Sequence, residues 1–139
     1  MKEDIIVEIV SKGVARVKLN RPEKHNAINS NVISLLTDKM NDLSDDENVR
    51  VVILSGSGKS FCAGADLQWM KHTLSLGRED NIQDAKTLAN LLFVLDRFPK
   101  PLIGLVQGPA YGGGVGLVAV CDIAIASENA FFSMTEVRL

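Results

Sequence analysis

The sequence lacks any long apolar run. None of its 139 residues belongs to a stretch near the roughly 18 apolar positions that span a bilayer, and the best run, Val115 to Ala126, is interrupted by Asp122. A secretory leader is not readable either, because MKEDIIVEIV carries Glu3 and Asp4 where a basic region belongs. Cysteine is scarce. Cys62 and Cys121 lie far apart with no His or Cys at ligand spacing, so no zinc site is expected and each reads as a buried reduced thiol. His25 and His72 form no metal pair. Charge of one sign is also lacking: fifteen Lys and Arg face seventeen Asp and Glu, for a net −2. That excludes a broadly basic surface and, with it, general nucleic-acid binding. Without export, a reducing cytoplasm is the default compartment.

What is present suits one globular domain. Hydrophobic residues make up 46% and charged residues 23%, enough of the former to bury a core. Ile5 to Val10 and Val14 to Asn20 read as two strands joined at Ser11-Lys12-Gly13, with Pro22 ending the second. Asn29 or Ser30 caps a helix whose apolar positions are Val32, Leu35, Leu36, Met40 and Leu43. A strand over Arg50 to Leu54 follows. Asp66 opens a helix with Leu67, Trp69 and Met70, and a longer helix from about Asn81 to Arg97 carries a broad apolar face of Ile82, Ala85, Leu88, Ala89, Leu92 and Leu95. Leu102 to Val106 is a strand, Gly112 starts a small-residue helix, and Ile123 to Ala126 is a strand again. This alternation predicts an α/β domain with buried, partly parallel strands.

Two glycine-rich loops stand out. Ser55 to Asp66 contains Gly58-Lys59-Ser60, but the leading glycine of a phosphate-binding loop falls at Ile53. Gly108 to Gly114 fails the dinucleotide fingerprint because position 117 is Leu117. Each loop follows an apolar strand and sets small residues before a helix, where free N–H groups favour negative charge. Two such groups converging would hold a polarised carbonyl oxygen. Tight turns and close packing are the alternative use of the same glycines.

Four segments in this order, NRPEKHNAIN (20–29), FCAGADL (61–67), GPAYGGG (108–114) and CDIAIAS (121–127), resemble the enoyl-CoA hydratase/isomerase, or crotonase, family. The resemblance covers essentially the whole chain but not the whole family domain, so the chain looks like an N-terminal portion of it. It implies a spiral of strand–strand–helix turns, assembly as trimers or dimers of trimers, and an acyl-coenzyme A thioester as ligand. Coenzyme A is then part of the substrate, with no separate cofactor. The family's two backbone donors to the thioester oxygen match Ala65 and Gly113. Its coenzyme A contacts match Lys24, Ala27, Ala63, Asp66 and Leu67, several of them through the backbone. A solvated surface lysine is the competing reading for Lys24.

Hydratases of this family use two glutamates. The second matches Glu136, which makes it the expected catalytic carboxylate, whereas the first falls at Gly116. One helical turn from Gly113, position 116 is expected to face the oxyanion site, and a glycine there supplies no acid or base. Asp122 is expected to cap or pack. One carboxylate suffices to move a proton between two carbons, and also for hydration when the same group orients water and returns the proton. The resemblance therefore implies a hydratase first, an isomerase second, and a non-catalytic thioester-binding module as a third reading. The GPAYGGGVGLVA context is similar to members acting on methylglutaconyl-CoA-type branched substrates. These 139 residues alone are expected to turn over little and to expose apolar surface.

Overall fold

Lys12-Gly13 closes the first hairpin in the computed structural model, which describes residues 3–138 apart from the side chains of Glu136 and Arg138. Strand β1 (Ile5–Ser11) pairs antiparallel with β2 (Val14–Leu19), Ile5 opposite Leu19. From there every addition to the main sheet is parallel. Strands β3 (Val51–Gly56) and β4 (Leu102–Val106) follow. The short β5 (Ala110–Tyr111) leaves the sheet, and β6 (Ile123–Ala126) returns to its edge, giving the order β1-β2-β3-β4-β6. A second sheet of two strands joins β5 to β7 (Phe132–Ser133). The predicted α/β class with partly parallel strands is the observed one.

The helices occupy the crossovers. Helix α1 (Ser30–Asp45) starts where Asn29 Oδ1 accepts the Val32 N–H at 2.9 Å, which selects Asn29 over Ser30 as the cap. Its buried stripe is Val32, Ile33, Leu36, Met40 and Leu43. These meet Ala15, Val17 and Leu19 of β2, Val52 and Leu54 of β3, and Leu102 and Val106 of β4 in one core. Each large aliphatic chain so buried contributes about 1.5–3 kcal/mol. Helices α2 (Leu67–Thr73), α3 (Arg78–Asp96) and α4 (Gly113–Ala119) complete the layer. Two 3₁₀ turns cover Pro22–Lys24 and Thr135–Arg138.

Two expectations need correction. Helix α3 starts at Arg78 rather than near Asn81, and its face is not broadly buried. Only Leu91 and Leu95 are enclosed, Leu88 and Leu92 pack partly, and Ile82, Ala85 and Ala89 are exposed. The physical reason is placement: the C-terminal half lies over the core, and the N-terminal half runs past it beside α2, where Asp84 meets Trp69. Strand β6 carries the right β-branched pattern, yet all four of its residues are exposed.

Candidate active site

The RPEKHNA turn is built around a residue that sequence reasoning passed over. Asn26 is buried at 1% exposure, with φ +56°. Its Oδ1 accepts the Arg21 N–H at 2.9 Å, and its Nδ2 donates to the carbonyls of Ser57 and Ser60 at 2.8 Å each. One amide thus ties the turn after β2 to the loop after β3. The available signal was chemical: asparagine is the side chain that most readily accepts a left-handed backbone while bonding neighbouring main chain. Arg21 works alongside, donating to the Ala27 carbonyl and, at 3.0 Å, to Asp66 Oδ2.

Residues 62–66 are held between two neighbouring segments by isolated bridges. On one side Cys62 N–H donates to Pro109 O at 3.3 Å and Tyr111 N–H donates to Cys62 O at 2.9 Å. On the other, Ile28 N–H donates to Gly64 O and Asp66 N–H donates to Ile28 O, both at 2.7 Å. In that parallel bridge the residues flanking Ala65 make the bonds to Ile28, so the Ala65 N–H itself points away from Ile28. The sequence placed this donor at a helix start; the structure frees it through the bridge to Ile28 instead, since Ala65 precedes Asp66, the cap of α2. Gly113 is the first residue of α4, so its N–H has no partner inside the helix. Among the described residues neither amide donates a backbone bond.

The two loops touch. A Cβ on Gly64 would lie 2.8 Å from Tyr111 O and 3.5 Å from Gly113 N, and Gly64 has φ +86°. Only glycine fits there on both counts. Gly114 is needed for a different closeness, because a Cβ on it would collide with the Cys62 carbonyl. Position 113 itself is open: a methyl group added there would have Ile28 Cδ1, at 3.5 Å, as its nearest neighbour.

A cleft of about 560 Å³ runs along the RPEKHNA turn, residues 63–66 and α2. It brings together Lys24, Ala27, Ala63, Ala65, Asp66 and Leu67, all expected from the sequence, and adds His25 and Lys71. Gly113 is not on its wall. A hollow of about 650 Å³ beside the hairpin turn is larger but holds none of these residues. Leu67 is 72% exposed, an apolar side chain standing at the cleft rim.

Asp66 has two jobs to separate. Burial would raise its carboxyl pKa, but bonds from the Gln68 N–H, the Arg21 guanidinium and the Trp69 N–H outweigh that and hold it below the ordinary carboxylate range. It is an ionised helix cap facing Arg21. Cys62 is fully buried, and burial pushes its thiol up to about 11, against a small opposing pull from Gly64 N–H. Cys121 is half-buried rather than buried, and burial together with the neighbouring Asp122 charge takes it to about 11 as well. Asp122 Oδ2 accepts the Leu102 N–H at 2.7 Å, the packing role expected of it. Among the described residues no group of three or more metal-binding side chains occurs, and no helix is long and apolar enough to cross a membrane.

A Cβ at position 116 would lie 3.7 Å and 3.9 Å from the methyls of Leu92 on α3, and one on Gly113 would meet Ile28 Cδ1 at 3.5 Å. Glu136 lies in the turn Thr135–Arg138, close in sequence to Ser133, whose carbonyl accepts the Gly112 N–H at 2.9 Å. The Glu136 side chain falls outside the described residues.

Known proteins resemble this chain throughout. It is 38% identical over 127 residues to the enoyl-CoA hydratase ACTT6 of Alternaria alternata, covering 91% of this chain and 41% of that one. It is 38% identical over 143 residues to the human mitochondrial Delta(3,5)-Delta(2,4)-dienoyl-CoA isomerase, covering 97% and 44%. The crystal structure of an enoyl-CoA hydratase from Shewanella pealeana superposes with a TM-score of 0.94 at 41% identity, covering 98% of this chain and 51% of that one. The chain spans about half the length of the curated relatives it matches. Residues 10–139 match the description enoyl-CoA hydratase/isomerase, and the chain belongs to that family.

Proposed function

We propose that the cleft takes the coenzyme A thioester of an unsaturated acid, with the Ala65 and Gly113 N–H groups as the two donors to the thioester oxygen. One observation carries this reading: two backbone donors without backbone partners, on loops whose glycines bring the loops into contact, with Ala65 on the wall of a cleft. Lys24, Ala27, Ala63, Asp66 and Leu67 would contact the coenzyme A portion, which is part of the substrate; no further cofactor is required. In hydration, water forms a C–O bond at the carbon far from the thioester. The double-bond electrons move onto the carbonyl oxygen, where fixed N–H dipoles stabilise the charge without reorganising. The carbon beside the carbonyl then takes a proton. Glu136 is the proposed carrier of that proton, and a methylglutaconyl-CoA-type branched acid is the proposed substrate class.

Isomerisation is the second reading, favoured by Gly116. With no carboxylate at that position, a single group moving one proton between two carbons accounts for the residues present. The likeness to a dienoyl-CoA isomerase supports the same reading.

Wash-in of solvent deuterium tests the chemistry. Incubated in deuterium oxide with an acyl-CoA, the full-length protein should label the carbon beside the thioester carbonyl, and Glu136→Gln in it should abolish labelling while leaving binding intact. Coenzyme A at a hundredfold its Kd should also stabilise the fold by about 2.7 kcal/mol, read as a raised Tm. A raised Tm without labelling leaves a thioester-binding module and overturns catalysis. An unchanged Tm overturns the ligand.

A further inference from the structure

Helix α2 separates two hollows: Leu67, Gln68 and Lys71 line the thioester cleft, while Trp69 and His72 line a smaller cavity of about 270 Å³ on its other side. At seven residues with none buried, this helix is far below the dozen or so residues needed for independent stability. Its N-terminal end is fixed by Asp66, whose carboxylate caps it and whose N–H donates to Ile28 O. Beyond that point, the Trp69 indole N–H donates to Asp84 Oδ2 of α3 at 2.8 Å. Among the described residues this is the only hydrogen bond that carries a side chain of α2 to another helix.

We infer that the Trp69–Asp84 bond holds α2 in place as the wall of the cleft, which makes both side chains positioning residues for the ligand. The ligand part of this inference rests on the thioester reading above. Losing the bond leaves the far end of the wall held only by the packing of the Trp69 ring against the core, so Leu67 and Lys71 hold their positions over the cleft less firmly. The bond spans the exposed half of α3, so its removal leaves the core intact.

Trp69 is the only tryptophan in the chain and reports on its own surroundings. Tryptophan emission, acrylamide quenching, amide exchange over 67–73 and coenzyme A affinity are compared in the wild type, Asp84→Ala and Asp84→Asn. Asp84→Ala should red-shift the emission, increase quenching, speed exchange in α2 and weaken coenzyme A binding about tenfold, the scale of a hydrogen bond to a charged group. Asp84→Asn keeps an acceptor oxygen and should restore most of each property, which a loss of charge alone would not. Unchanged exchange in Asp84→Ala overturns the inference. So does faster exchange with unchanged affinity. Should the wild type bind no coenzyme A, the thioester reading fails, and exchange over 67–73 by itself decides whether the bond holds the helix.

Discussion

One methyl group distinguishes the two glycines where the loops meet. In Gly64→Ala the new Cβ sits 2.8 Å from Tyr111 O in a left-handed backbone, so the fold should lose roughly 1–3 kcal/mol, measured by urea unfolding. Gly113→Ala meets only Ile28 Cδ1 at 3.5 Å, and its stability should stay within about 0.5 kcal/mol of the wild type. The bulkier Gly113→Val should lower turnover by on the order of 10²-fold through lost access or donor geometry. Asp66 supplies a pH dependence. Its folded pKa is depressed, so the native chain binds fewer protons at this group than the unfolded chain does. The stability it contributes is complete above the unfolded value of about 4 and is lost as pH falls through the lower folded value. Urea midpoints followed into acid should therefore fall less steeply in Asp66→Asn than in the wild type. The acceptors for Asn26 were not legible in the sequence, because Ser57 and Ser60 lie some thirty residues away and only the folded turn brings them within reach.

Strands and helices were legible where one element's pattern determines its surroundings. Four of the five expected positions of the α1 stripe are buried, since a sixteen-residue helix over a sheet buries whatever face is apolar, while Ile33 takes the place of the partly buried Leu35. For α3 the same spacing misleads: apolar residues at helical intervals mark a face without saying what covers it. Leu91→Ala should cost about 2–5 kcal/mol, whereas Ile82→Gln should change stability by less than about 0.5 kcal/mol. Paired thermal melts of the two variants separate the halves of the helix. The Ala65 donor shows the same limit from another direction. Its direction follows from which neighbours bond to Ile28, a residue far off in sequence, so the loop composition alone could not give it. Trp69 was visible only as an apolar position, because its partner Asp84 lies fifteen residues on in a different helix and only the fold brings the two together.

For the molecule as a whole, the main sheet ends in an unpaired strand. Ile123 and Ile125 of β6 are 54% and 57% exposed, and Phe131, Phe132 and Met134 are exposed as well. An apolar edge without charge or proline invites pairing. Light scattering of these 139 residues should show association, and Ile125→Lys should shift the distribution toward monomer. The central claim is the pair of donors on the thioester oxygen, and nitrogen–proton NMR tests it most directly. On titration with a non-reacting acyl-CoA, the amide protons of Ala65 and Gly113 should move downfield together, with saturation at one common ligand concentration. Binding that shifts cleft residues such as Lys24 and Lys71 while leaving both of those amides unmoved would contradict it.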